Sequence, residues 1–224
     1  MTRHAIAICH GILTFDKGKD ETWQTRMAAY FTERMENTRS YVFRYGPVLP
    51  LFSHRMTWAP YLSLPGIARE FYIGKLVRFL SNMNKEDPER EISVIAHSFG
   101  GWLLERAIPR LNFGIRTVIF LHCPISAHVE NGYFYSYLEQ GRIKKIVSWS
   151  SHEDEVIGRI ALPPFGQNGY YGFIRMDHTE DRASPARQPY PFINLYNKHT
   201  EAEHSDVVSY EKYWPDLIEQ VVKE

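Results

Sequence analysis

Six short runs of β-branched, aliphatic or aromatic residues punctuate the chain, at 4–9 (His-Ala-Ile-Ala-Ile-Cys), 41–45, 91–96, 115–122, 143–149 and 190–196. Runs of this length and make-up predict strands. Between the first two, Trp23, Met27, Tyr30, Phe31 and Met35 recur at helical spacing, and Ile67, Phe71, Gly74 and Val77 do so before the third. After the last run, Ser205 or Asp206 can cap a helix with apolar positions Val207, Tyr210, Trp214, Leu217 and Val221, which Pro215 kinks or restarts. Strands alternating with helices predict βαβ units, hence an α/β fold with a mainly parallel six-stranded sheet flanked by helices on both faces. No repeat, low-complexity tract or Gly/Ser linker breaks the pattern, and the charges from Lys85 to Glu91 suit a solvated connector, so residues 1–224 read as one domain.

Two stretches lack helical periodicity: 46–65, with Pro47, Pro50, Pro60 and Pro65, and 158–189, rich in proline and glycine. Both leave the carboxyl ends of predicted strands, where ligands bind in open parallel sheets. Leu49, Leu51, Phe52, Met56, Trp58, Tyr61, Leu62 and Leu64 crowd the first stretch, which suits a lid or pocket wall and equally a loop packed down over the sheet.

Composition narrows the functional classes. The 26 Lys and Arg balance 26 Asp and Glu, so no global field draws the chain to nucleic acid or anionic lipid. Hydrophobic residues make up 44% of the chain, enough for a substantial core at 224 residues. The longest apolar runs fall far short of the ~18 residues of a membrane span, and the apolar run near Met1 leaves no room for a leader, so a cytoplasmic location is expected. Cys9 and Cys123 sit in strand-like runs and read as buried free thiols.

The chemistry concentrates at four strand ends. Ile92-Ser93-Val94-Ile95-Ala96-His97-Ser98-Phe99-Gly100-Gly101 reads as a buried strand, a sharp turn and a helix start, with Ser98 at the turn. A nucleophile elbow needs small residues two before and two after the serine, because strand and helix backbones approach closely there. Ala96 and Gly100 meet that requirement. The spacing alone is common, and the strand-to-helix context gives it weight. Ile6-Ala7-Ile8-Cys9-His10-Gly11-Ile12 is a second strand running into a tight turn. Its Ile12 amide, with that of Phe99, is a candidate oxyanion hole. His10, Gly11 and His97 are candidate substrate contacts, although His97 reads first as packing beside the elbow. Asp154, in an acidic loop after the fifth run, is the candidate imidazole-orienting carboxylate, with Glu153 and Glu155 as competitors. His204, before the terminal helix, is the candidate general base, with His199 as its rival.

These motifs, in the order Ser, Asp, His, resemble a small α/β-hydrolase-fold serine hydrolase of the cap-free esterase and lipase type. The matches are His10-Gly11-Ile12, Ala96-His97-Ser98-Phe99-Gly100, Asp154-Glu155-Val156 and His204-Ser205-Asp206. The resemblance implies Ser98 as nucleophile, Asp154 as acid, His204 as base, and Ile12 and Phe99 as oxyanion donors. Ala96 stands where glycine is commoner, and the usual antiparallel amino-terminal hairpin is missing. The expected activity is hydrolysis of a carboxylic ester or thioester of a small acyl substrate, without cofactor. An acyltransferase using the same residues and a silent binding module are the alternatives.

Other sites find less support. His10, His97, His122 and His152 all end strands, but no His-x-Glu or Cys-x-x-Cys spacing backs a metal, so none is expected. Cys123 beside His122 is a poor nucleophile candidate, since adjacent strand residues face opposite ways. No glycine-rich phosphate loop occurs. Tyr133, Phe134, Tyr135 and Tyr137 suit an acyl-pocket wall and a packed helix face equally.

Overall fold

All six strands run parallel in the computed structural model, which describes residues 3–11, 22–44, 66–128, 133–159, 166–174 and 195–222. The strands are β1 His4–Cys9, β2 Thr38–Phe43, β3 Glu91–His97, β4 Ile115–Leu121, β5 Ile143–Ser150 and β6 Leu195–His199. Their order across the sheet is β2-β1-β3-β4-β5-β6, so the direction of winding reverses between β1 and β3. That reversal is where open parallel sheets bind ligands, outside the carboxyl ends.

Alternation sorts the strand residues between two cores. Ala5, Ala7, Cys9, Val94, Ala96, Val118, Phe120 and Ile146 face one side. There they meet Tyr72, Leu76 and Leu80 of the long helix Gly66–Glu86 and Trp102, Leu103 and Leu104 of the helix Phe99–Ala107. Ile6, Ile8, Ile95, Ile119, Leu121, Val147 and Trp149 face the other side, against Met27 and Phe31 of the helix Trp23–Arg34 and Trp214, Leu217 and Val221 of the helix Trp214–Val222. In chain order these helices are α1 Trp23–Arg34, α2 Gly66–Glu86 and α3 Phe99–Ala107, then α4 Tyr133–Glu139, α5 Glu155–Arg159, α6 Asn168–Tyr171, α7 Asp206–Ser209 and α8 Trp214–Val222. No helix among the described residues is long and apolar enough to cross a membrane.

The strands at the centre of the sheet match their apolar runs within one residue, while the two edges shift. β2 begins three residues earlier than its aromatic run, and β6 ends three residues later. Both are edge strands that carry polar residues (Thr38, Arg39 and Ser40; Asn197 and Lys198), so the sheet's hydrogen bonds set their limits rather than burial. The C-terminal helix also differs from its pattern. α7 stops at Ser209, a 3-10 turn covers Glu211–Tyr213, and α8 restarts at Trp214 with Pro215 in its first turn, where the missing N–H has no helical partner to lose. Tyr210 falls in the break and is 54% exposed, not part of the apolar face. Cys123 lies two residues beyond β4 and, like Cys9, is a buried free thiol. Phe134 of α4 packs edge-on against Phe120 in the core, so at that position the aromatic cluster is a helix face. The stretch 46–65 lies outside the described residues. Of 158–189, residues 158–159 and 166–174 are described, and within the latter Asn168–Tyr171 form the short helix α6.

Candidate active site

Ser98 occupies the turn between β3 and α3, at φ 53° and ψ −130°, and is 8% exposed. A non-glycine residue in this region is strained, by about 1–3 kcal/mol. The neighbouring backbones hold it there. The Ser98 amide donates to the Leu121 carbonyl at 3.0 Å, extending the β3–β4 pairing past the strand end. A Cβ at Gly100 would lie 2.8 Å from the His10 carbonyl oxygen and 2.9 Å from that of Cys9, so only glycine lets α3 start this close to the end of β1. The requirement for a small residue two past the serine thus has a concrete cause.

The His-Gly turn after β1 lies directly on this elbow. A Cβ at Gly11 would stand 2.8 Å from Ser98 Cβ and 3.1 Å from Ser98 Oγ. His10 Nδ1 donates to the Gly11 carbonyl at 2.7 Å. Ile12 lies outside the described residues, and the Phe99 amide heads α3 beside the serine.

Asp154 is set by helix capping. It precedes α5, its main-chain carbonyl accepts from the Gly158 amide at 2.9 Å, and its Oδ1 accepts the Ile157 amide at 2.9 Å. Its second oxygen is thereby left to face inward. His204 Nδ1 donates to Asp154 Oδ2 at 2.8 Å, and the Ser98 hydroxyl reaches His204 Nε2 at 2.9 Å. Three side chains spread over 107 positions therefore form one hydrogen-bonded line. Burial opposes ionisation of Asp154. The imidazole hydrogen bonds from His122 and His204, the adjacent His204 ring and the Ile157 amide outweigh it and hold the carboxyl well below the usual carboxylate range.

The competitors lie elsewhere. His199 pairs with Ser150 Oγ at 3.2 Å and stacks edge-on against His152. Glu155 pairs with Arg159 along the exposed face of α5 at 2.5 Å, and Glu153 is exposed. Cys123 is buried beneath the elbow, where its thiol donates to the Ala96 carbonyl at 3.2 Å. Burial pushes that thiol well above its ordinary range, which removes the thiolate a nucleophile needs.

Two histidines have contacts that local sequence does not reveal. His97, 2% exposed, donates from Nε2 to the main-chain carbonyl of His204 at 2.8 Å. His122, fully buried, brings Nδ1 within 3.1 Å of Asp154 Oδ2. The only sequence signal for His122 was its place at the end of the fourth run. Among the described residues, the donor atoms of His122, Asp154 and His204 lie within 4.8 Å of one another and could together ligate an ion, which would have to break the His204–Asp154 hydrogen bond. A cleft of about 670 Å³ lined by Arg3, Arg34, Arg39 and Arg90 opens at the opposite end of the sheet and contains none of these groups.

No protein-family model matches the sequence, and no curated protein sequence matches it. Solved structures do. An uncharacterized protein from Bacillus cereus is 11% identical with a TM-score of 0.59; the match covers all of this chain but 59% of that one, so this chain spans less than two thirds of its length. The esterase PE8 is 12% identical, with a TM-score of 0.55 and 97% and 91% of the two chains covered. An α/β serine hydrolase without a lid from Xanthomonas campestris is 13% identical, with a TM-score of 0.55 and 99% and 80% covered.

Proposed function

We propose that this chain, which has the α/β-hydrolase fold, is a serine hydrolase that cleaves a carboxylic ester or thioester through an acyl-enzyme on Ser98. One observation carries this reading: the hydrogen-bonded line from Ser98 Oγ through His204 to Asp154, at 2.9 and 2.8 Å. Serine is a weak nucleophile until a base takes its proton, and that base must be held in one tautomer. The Nδ1–H···Oδ2 bond fixes the proton on Nδ1 and leaves the Nε2 lone pair facing the hydroxyl.

In the reaction, Ser98 Oγ attacks the acyl carbon as His204 Nε2 accepts the hydroxyl proton. The tetrahedral oxyanion is received by the amides of Phe99 and Ile12. Collapse expels the alcohol or thiol, which takes the proton from His204, and water deacylates the enzyme by the same exchange. Each oxyanion donor in such sites is worth roughly 3–4 kcal/mol. His10 and Gly11, which flank the elbow, are the proposed substrate contacts, while His97, buried and bonded to the His204 carbonyl, holds the histidine loop. The resemblance to an esterase and to a lidless serine hydrolase agrees with this reading.

A fluorophosphonate probe tests it. Labelling of Ser98 in the wild type and its loss in a folded Ser98→Ala variant are expected; labelling that persists in the variant would place the nucleophile elsewhere.

A further inference from the structure

Asp154 serves two imidazoles, and only one of them reaches the serine. His122 follows β4 at φ 50°, a left-handed conformation that non-glycine residues adopt at a cost. Its surroundings enforce that turn. The His122 amide donates to the Trp149 carbonyl at 3.0 Å, and Gly169 of α6 presses on its main chain so closely that a Cβ there would stand 2.5 Å from His122 C. The turn aims a fully buried ring at the carboxylate: Nδ1 is 3.1 Å from Asp154 Oδ2 and Nε2 is 3.4 Å from Thr200 Oγ1. His122 Nδ1 meets no acceptor at hydrogen-bond angles here, so its 3.1 Å approach to Asp154 Oδ2 is a close polar contact of a buried ring nitrogen, beside the aligned His204–Asp154 bond.

We propose that His122 is a positioning residue, a second donor that fixes the Asp154 carboxylate and through it the orientation of His204. This rests on the serine hydrolase reading above. Among the described residues, the inward oxygen of Asp154 without His122 has His204 alone to hold it. Burial keeps His122 toward its neutral form despite the carboxylate beside it, so the ring can donate one hydrogen bond without adding a cation next to His204. The groups facing it from the packed elements are Asp154, His204, Thr200, His97, His199 and, more distantly, Asp206. A neutral donor withdraws charge from Oδ2, so its loss would strengthen the hold of Asp154 on the protonated form of His204.

The test compares wild type, His122→Ala and His122→Asn on a p-nitrophenyl ester and a fluorophosphonate. Asparagine tolerates positive φ and keeps a donor near the Nδ1 position. In His122→Ala, kcat should fall about 10- to 100-fold, as when other residues that orient a reacting group are removed, with KM little changed. The acid limb of kcat/KM should move upward, and His122→Asn should restore both. An unshifted acid limb with unchanged kcat in the alanine variant overturns the proposal. If that variant does not fold, the ring nitrogen shifts of His122 in the wild type decide: a neutral ring protonated on Nδ1 supports the role, and one protonated on Nε2 defeats it. Absence of Ser98 labelling in the wild type removes the hydrolase reading itself, whereas equally fast labelling of wild type and His122→Ala removes only the role of His122.

Discussion

His97 Nε2 lies 2.8 Å from the carbonyl oxygen of His204, so the side chain immediately before Ser98 holds the main chain of the residue whose ring meets it. The elbow and the histidine loop are separated by more than a hundred positions, and this bond fixes one against the other. Their rings also pack at 4.9 Å between centroids, and Trp23 of α1 meets the His97 ring edge-on at 5.8 Å.

His97→Ala should therefore cost more than packing. It leaves a carbonyl without its buried donor, an expected loss of about 1–3 kcal/mol in stability. A drop in kcat of at least about ten-fold should accompany it as His204 loses its anchor. His97→Gln, whose amide reaches the same carbonyl, should recover most of the activity. Thermal unfolding and ester turnover read the two effects separately.

Asp154→Asn keeps the volume but removes the acceptor that selects the Nδ1–H tautomer of His204. In serine hydrolases of this design such a change lowers kcat on the order of 10⁴-fold. Steady-state kinetics should show that loss in kcat with KM changed little.

Gly101→Ala tests the packing beneath the elbow. The added methyl would stand 2.3 Å from Cys123 Sγ, 2.6 Å from Cys123 Cβ and 3.2 Å from Phe120. Overpacking of this kind typically costs about 1–3 kcal/mol. Urea midpoints should fall accordingly, and the double variant with Cys123→Ala should recover part of the loss, because the sulfur is one of the two close contacts.

Stability should fall as the pH drops below about 6.5, the ordinary histidine value. Burial lowers His97 and His122 below that value, and it lowers His4 and His199 in the same direction. The unfolded chain thus binds protons that the folded chain refuses, so acid favours unfolding. Asp154 acts lower down: its contribution is present above the ordinary carboxyl value near 3.9 and disappears only as the pH falls towards its depressed folded value. Melting temperatures should therefore decline between pH 7 and 5, and the decline should be shallower in His122→Asn. A flat profile across that range would contradict the buried histidines.

How much of this was legible in the sequence depended on distance along the chain. β1, β3, β4 and β5 follow from mainly apolar runs, because a strand covered on both faces has no regularly polar side; charged residues such as Glu91, Arg116 and Lys144 sit near their amino-terminal ends. Ser98 and Gly100 follow from local crowding, which a five-residue motif records. The short helix at Asn168–Tyr171 does not, since Gly169 within it and Gly166 just before it are chosen by close approach to His122 and Ile125 rather than by helical periodicity. Nor do the links from His97 to His204 and from His122 to Asp154. They join residues 107 and 32 positions apart, and only the parallel sheet, by ending its strands at one rim, brings them together.

On the proposed reading of Ser98 as nucleophile, its torsion sets the folded chain's tolerance to heat against its chemistry. Glycine at position 98 would relax the backbone at φ 53° and remove the hydroxyl in the same stroke. Selection for thermal endurance alone, with turnover left unmonitored, would drift towards that inert replacement. On that reading, directed improvement of this scaffold has to reward ester turnover in every round or lose it at this one position.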